Sequence, residues 1–228
     1  MFTGLIEAIC TVKSVLQNAG GLLLTMDLGK LAEDSKIGDS IAINGACLTI
    51  AELAGNLTTF QLSAETLTKS ALGRLKPSSS VNVERAMKAT DRFGGHFVQG
   101  HIDGTATIKA IKRTGQSVLR SSTATKDEFA DMEFAASPEL LSQMVVKGSV
   151  AVDGISLTIA SRDERSFSVA LIPETLKKTT LGTAKVGDVV NIETDIIVKT
   201  IKSQMESAFG GLPQEQPLTV ERLRQLGF

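Results

Sequence analysis

The chain repeats itself, and that duplication constrains its fold more than any other feature. Asn44-Gly45-Ala46-Cys47-Leu48-Thr49-Ile50 aligns with Asp153-Gly154-Ile155-Ser156-Leu157-Thr158-Ile159 at four of seven positions, at a spacing of 109 residues. The same spacing relates residues 64–73 (AETLTKSALG) to residues 173–182 (PETLKKTTLG), six of ten positions being identical. It also relates Val81-Asn82-Val83-Glu84 to Val190-Asn191-Ile192-Glu193. At the front of each copy the spacing falls to 96, pairing Gly4-Leu5-Ile6-Glu7 with Gly100-His101-Ile102-Asp103. The second copy therefore carries 13 extra residues, 109 against 96, expected between Ile108 and Val145 and centred on residues 126–144.

Each copy reads mainly as strands. Residues 5–15, 22–28, 40–52 and 57–63 are rich in Ile, Val, Leu and Thr and are punctuated by Gly and Asn, the pattern of short strands joined by turns. Helical signals are brief: residues 31–35, residues 64–72 with Ser63 as a cap, and residues 138–145, where Ser137 precedes a proline suited to a first helical position. Two copies of about 90–100 residues, each a set of close-spaced strands, predict an all-β, mainly β chain of two homologous barrels in tandem. The expected domains are residues 1–96, residues 97–196 and a helical segment over 197–228. In that last segment Ile197, Ile201, Met205 and Ala208 recur at helical spacing, Gly210-Gly211-Leu212-Pro213 breaks the helix, and residues 218–226 suit a final short helix. Such an amphipathic helix has two uses: packing between subunits, or closing a barrel end.

Composition narrows the function. Lys and Arg number 24 against 25 Asp and Glu, a net charge of −1, without the basic excess of a nucleic-acid binder. With no Trp and no Tyr, the nine Phe are the only aromatic residues, poor equipment for stacking on single strands. No apolar run approaches the roughly 18 residues of a membrane span. Two cysteines, Cys10 and Cys47, and no basic-then-apolar leader predict a reduced, cytoplasmic protein. Two His and two Cys at these separations match no zinc spacing, so no metal is expected. No strand followed by GxGxxG occurs, which argues against a reductase with a dinucleotide domain.

The motifs MFTGLIE, NGACLT, GGHFVQGHIDG, DGISLT and IPETL, in this order within a duplicated frame, resemble the riboflavin synthase alpha-chain family. The resemblance runs from Met1 to about Asp195, with a weaker match in the closing QLGF. It implies two six-stranded Greek-key β-barrels plus a C-terminal α-helix, and a homotrimer joined through those helices with its site between subunits. It further implies the substrate, 6,7-dimethyl-8-ribityllumazine, two molecules of which dismutate to riboflavin and 5-amino-6-ribitylaminouracil without a cofactor. Lumazine synthase is a candidate partner. The rival class is a non-catalytic lumazine- or flavin-binding antenna or carrier on the same frame, which would be expected to lose the asymmetry between copies.

By the same resemblance, the first barrel lines its ligand with Gly4, Leu5 and Ile6, with Cys47, Leu48 and Thr49, and with Gln61, Leu62, Ser63, Ala64, Glu65 and Thr66. The repeat register places the counterparts at Gly100, His101 and Ile102, at Ser156, Leu157 and Thr158, and at Ala170, Leu171, Ile172, Pro173, Glu174 and Thr175. The copies differ at His101 against Leu5, Ser156 against Cys47, Lys147 against Gly38 and Asp195 against Ala86. Two sites doing different chemistry on one kind of molecule need such differences. His101, titrating near neutrality, is the expected base or proton shuttle for the acidic C7 methyl of the lumazine. Ser156 and Cys47 are candidate nucleophiles or hydrogen-bonding groups, with water and a substrate hydroxyl as competitors. Asp195 is expected to orient His101 or Ser156, Lys147 to bind a ribityl hydroxyl or ring carbonyl, and Phe2 to stack on a ring or close the pocket. His96 is assigned a structural or linker role.

Overall fold

The structure, a computed structural model, describes residues 1–18, 20–115 and 128–209. The first copy folds as β1 (Ala8–Asn18), β2 (Gly21–Asp27), β3 (Ser40–Ile43), β4 (Ala46–Ala54), β5 (Leu57–Ser63) and β6 (Ser80–Arg85), with helix α1 (Ala64–Lys69) after β5. The second repeats this as β7 (Gly104–Gly115), β8 (Glu128–Ala135), β9 (Ser149–Val152), β10 (Ile155–Arg162), β11 (Ser166–Leu171) and β12 (Val189–Thr194), with α2 (Pro138–Leu141) before β9 and α3 (Pro173–Lys178) after β11. Helix α4 (Ile196–Phe209) follows. Each set closes into an antiparallel barrel, in the order β1-β2-β5-β4-β3-β6 and, six strands on, β7-β8-β11-β10-β9-β12. The pairing of β2 with β5 and of β6 with both β3 and β1 makes each a Greek key and leaves no free edge.

The stretch expected as one strand over 40–52 is two, split by Asn44-Gly45. Both turn residues take positive φ, 43° and 81°, and Asp153-Gly154 repeats this with 45° and 78°. Such two-residue turns match the twist of the strands they join. Closure demands curvature, and each barrel bends at bulges in equivalent places: between Val12 and Ser14 and between Ile50 and Glu52, then between Ile108 and Ala110 and between Ile159 and Ser161. Inward residues of β2, Leu22, Leu24 and Met26, fill one core with Ile41, Ile43, Phe60 and Leu62. Phe134 and Phe167, stacked at 5.1 Å, centre the other.

Most of the extra length lies ahead of the residues 126–144 on which it was expected to centre. Val12 pairs with Met26, whereas their counterparts Ile108 and Phe134 span twelve residues more, so twelve of the thirteen belong to the β7–β8 connection, whose residues 116–127 lie outside those described. The thirteenth falls between β8 and Lys147, where α2, capped by Ser137, replaces a 3-10 turn over Gly29–Ala32. A hairpin end absorbs added residues without disturbing the ladder behind it.

The two barrels meet at those Asn-Gly and Asp-Gly turns. A Cβ on Gly45 would stand 2.6 Å from Gly154 N, and one on Gly154 would stand 2.8 Å from Gly45 N. Fully buried Asn82 donates from Nδ2 to Asp153 O (3.0 Å) and accepts from Thr180 N (2.8 Å); Asn191 donates to Asn44 O (2.8 Å) and accepts from Ala71 N (2.6 Å). The asparagine of each VNVE or VNIE block thus satisfies the opposite barrel.

Helix α4 docks through Lys199, whose Nζ lies 2.8 Å from Asp103, and Lys202 Nζ, 2.9 Å from Ser142 Oγ. Ile197, Ile201 and Met205 are each more than half exposed, so the apolar stripe does not close a barrel end. The expected final helix over 218–226 and the closing QLGF lie outside the described residues.

The seam is chemically uneven. Asp153 stands where the first copy has Asn44, and burial pushes its carboxyl up to about 7, helped by Asp188 and opposed by the hydrogen bond from Asn191 N. A raised carboxyl favours the folded state when neutral, so stability is lost as pH rises from the ordinary Asp range through about 7. Asp153→Asn removes that loss while keeping the acceptor, as Asn44 does for Asn82 N at 2.7 Å. The variant is expected to match the parent at about pH 4.5 and exceed it by roughly 2–4 kcal/mol at about pH 8.5, read from urea unfolding.

Candidate functional site

The residues ahead of each first strand do not stay with their own barrel. Phe2 N donates to Val98 O (2.8 Å) and Val98 N to Phe2 O (3.2 Å), and because these residues are counterparts at the 96 spacing, the bridge crosses the internal two-fold axis. Beyond it each segment is gripped by a glutamate of its own copy. Glu84, on β6, accepts from Thr3 N (2.7 Å), Thr3 Oγ1 (2.7 Å) and Gly4 N (3.0 Å). Glu193, on β12, accepts from Gln99 N (2.7 Å) and Gly100 N (2.9 Å). Burial raises the pKa of both carboxyls, against the lowering effect of those hydrogen bonds. The outer side of each segment then serves the other barrel: Gly4 O accepts from Ser156 N (2.8 Å) and Gly100 O accepts from Cys47 N (2.9 Å). Ile6 packs on the second core and Ile102 on the first.

This exchange corrects the grouping expected from the repeat. Gly4, Leu5 and Ile6 belong with Ser156, while Gly100, His101 and Ile102 belong with Cys47. Glycine is required at both crossings: Gly4 and Gly100 have φ of +78° and +83°, and a Cβ on either would stand 2.6 Å from Ser156 Cβ or 2.4 Å from Cys47 Cβ.

The first mouth is a cavity of about 300 Å³, lined by Ala46, Cys47, Ser63, Glu65, Thr66, Lys69, Ser70, Gly100, His101 and Ile102. Its size falls at the lower end of small-molecule sites. Ser63 Oγ caps α1 by accepting from Thr66 N (3.2 Å), which fixes that wall. Lys69 and Ser70 were not singled out from sequence. Of the other expected residues, Leu48 and Leu62 point into the core, whereas Thr49, Gln61 and Ala64 are exposed on the outer surface.

The second mouth brings Ser156 against Gly4, with Leu5 exposed beside it. Leu157 and Leu171 point into the second core; Thr158, Ala170 and Ile172 are exposed; Pro173 opens α3, where Thr175 is half-buried. Glu174 is tied to Lys178 at 2.8 Å, which lowers its pKa.

Several assignments move. Phe2 is fully buried between the barrels with Ala42, Val98 and Ala151 and faces no opening. His101 is exposed in the Cys47 mouth rather than beside Ser156. The histidine at Ser156 is His96: its Nδ1 lies 2.7 Å from Ser156 Oγ, the ring is buried, and burial lowers its pKa, with Asp195 opposing. Asp195 hydrogen-bonds neither His101 nor Ser156; its carboxylate accepts from Ile197 N (2.9 Å) in the first turn of α4. Lys147 is exposed and holds a φ of +67°, a left-handed conformation that its counterpart Gly38 takes freely. Among the described residues no three His, Cys, Asp or Glu side chains are grouped to hold a metal ion, and no helix is long and apolar enough to cross a membrane.

Two closed barrels with exchanged leading segments, each completing the other's mouth, define a duplicated small-ligand-binding barrel protein. The lumazine binding domain family matches twice, over residues 3–86 and 99–195. Riboflavin synthase of Actinobacillus pleuropneumoniae is 39% identical over 228 residues, covering 100% of both chains. That of Bacillus subtilis (strain 168) is likewise 39% identical over 228 residues and 100% of both. Among solved structures, LumP complexed with 6,7-dimethyl-8-(1'-D-ribityl) lumazine shares the fold with a TM-score of 0.72 at 20% identity, over 85% of this chain and 99% of that one. The chain belongs to the riboflavin synthase family.

The crossings can be tested directly. Gly100→Ala combines a left-handed backbone with a 2.4 Å clash, whereas at Gly38 (φ +93°) a Cβ would meet open space. Gly38→Ala is expected to cost about 1 kcal/mol in urea unfolding and Gly100→Ala at least about 2–3 kcal/mol.

Proposed function

We propose that the protein is a transferase that dismutates two molecules of 6,7-dimethyl-8-ribityllumazine, moving a four-carbon unit from one to the other to give riboflavin and 5-amino-6-ribitylaminouracil. The two lumazines together contain every atom of the two products, so the overall reaction needs no oxidant or reductant. The observation that carries this reading is the pair of mouths: one backbone frame used twice, with different reactive groups on it. A reaction between two identical molecules needs two similar binding surfaces, and holding both reactants in register is worth up to roughly 7–11 kcal/mol. Their unlike roles need unlike chemistry, and here one mouth holds Cys47 and His101 while the other holds Ser156 and His96.

Backbone amides and carbonyls along the crossing segments suit the edge of a pteridine, with the hydroxyls of Thr66 and Ser63 at the α1 wall and Thr175 at the start of α3. His101 is the base this reading assigns to the C7 methyl, a role supported by its exposure in the lining of the Cys47 mouth. Lys147 retains a backbone conformation costly for a side-chain-bearing residue, which supports a binding role for its ammonium. The Cys47 mouth is open on the single chain, and a neighbouring subunit covering it would exclude water. The exposed stripe Ile197, Ile201 and Met205 supports assembly through α4, and a homotrimer follows the family pattern. A cytoplasmic location suits the free thiols of Cys10 and Cys47.

The test is incubation of the purified protein with 6,7-dimethyl-8-ribityllumazine alone, with both pteridines followed by chromatography. One riboflavin per two lumazines consumed is the expected result; tight lumazine binding without turnover would favour the antenna or carrier reading. For the assembly, Ile201→Glu is expected to lower the sedimenting mass and the specific activity together, while far-ultraviolet circular dichroism stays unchanged.

A further inference from the structure

Resting on that reading, we propose that His96 is the positioning residue of the second mouth: it accepts the Ser156 hydroxyl at Nδ1 and so fixes Oγ with its lone pairs presented to the bound ring. The contact is short, 2.7 Å, and the imidazole is only 7% exposed. The loop that carries it is clamped. His96 N donates to Thr3 O (3.2 Å), and a Cβ on Gly95 would stand 1.9 Å from that carbonyl and 3.2 Å from Ser156 Cβ. Only glycine lets the chain pass so close, which gives the Gly94-Gly95-His96 motif a purpose beyond linking two domains.

A histidine kept for packing alone would have both ring nitrogens satisfied. Here Nε2 is buried without a hydrogen-bond partner among the described residues, so the ring's side-chain bonding is directed at Ser156. Burial favours the neutral ring, and neutral imidazoles of this substitution favour the proton on Nε2, leaving Nδ1 as acceptor. Asp195, at the β12–α4 junction, is the charged group acting on the ring; the N-terminal segment presents the Thr3 carbonyl, and β10 presents Ser156. The other mouth lacks this device: the counterpart of Ser156 is Cys47, whose thiol has no hydrogen-bond partner among the described residues, and His101 beside it is exposed. A serine whose proton is engaged by His96 can accept from, or attack, a bound ring but does not donate to it. The two mouths therefore differ in the direction of their hydrogen bonding as well as in residue type.

The test is a double-mutant cycle on riboflavin formation with urea unfolding alongside. His96→Ala and Ser156→Ala are each expected to lower kcat about 10²-fold with KM changed less than about threefold, and the double variant to be no slower than either. His96→Asn, which keeps an acceptor near the Nδ1 position, is expected to recover at least about tenfold over alanine. Unchanged kcat in His96→Ala, losses that multiply in the double variant, or no recovery with asparagine would each overturn the proposal. An arm independent of turnover uses ¹⁵N NMR of the wild-type histidines. An Nε2–H His96 whose Nδ1 resonance moves on Ser156→Ala supports the pairing, and an Nδ1–H tautomer or an unmoved resonance overturns it. Absence of riboflavin from wild type would instead sink the functional reading, with the NMR arm still deciding the pairing.

Discussion

The structure depends on a seam in which each barrel satisfies buried polar groups of the other. Asn82 and Asn191 are fully buried, and each spends its amide on the opposite copy. A buried amide left without partners costs roughly 1–3 kcal/mol, so separating the barrels would expose a set of donors and acceptors that only the paired arrangement satisfies. The same seam fixes the axis relating the turns Asn44-Gly45 and Asp153-Gly154, and thereby where Phe2 meets Val98. Everything that reaches a mouth is measured from that axis.

What the sequence made legible was the frame. Duplication, strand rhythm, the caps at Ser63 and Ser137 and the helix that follows the second barrel are all local or periodic signals, and the structure carries them. What stayed hidden was the exchange of segments. A repeat register aligns Gly4 with Gly100 but says nothing about which barrel either one touches, so grouping by copy pairs His101 with Ser156 and gives His96 no place at either mouth. The clue was present in Glu84 and Glu193: charged residues repeated one position after the core-facing Val83 and Ile192 face out of their barrels, and when buried there they require partners, which are the amides of the exchanged segments. The position of Phe2 is hidden from the sequence for a related reason. An N-terminal aromatic beside a glycine suits a lid, but the seam needs an apolar plug, and Ala42 and Ala151 leave the room for it.

Symmetry of backbone and asymmetry of side chains have separate causes here. The backbone frame is held by glycines, by the seam asparagines and by the two glutamates, all repeated. The mouths are set by positions the frame tolerates: at 47 and 156 the residue donates its amide to a crossing carbonyl, so any small side chain fits, and the two copies were free to diverge to thiol and hydroxyl. Lys147 departs from this tolerance, because its position demands a left-handed backbone that Gly38 adopts without cost.

Exchange of the leading segments has a consequence for how the mouths communicate. Glu84 belongs to the first barrel but positions Gly4, whose carbonyl holds Ser156 in the second; Glu193 belongs to the second and positions Gly100, which holds Cys47 in the first. Neither mouth can be completed by one barrel folding alone. Each buried carboxylate accepts two amides in succession and so sets the register of its segment to a single residue, and a slip there would displace a crossing glycine into a position where a Cβ-bearing residue cannot pass. The geometry of both mouths is therefore tied to one docking event between the barrels. That coupling suits a site pair that must act on two identical molecules at once, since a chain with one mouth formed and the other open would bind a single reactant and have nothing to transfer to.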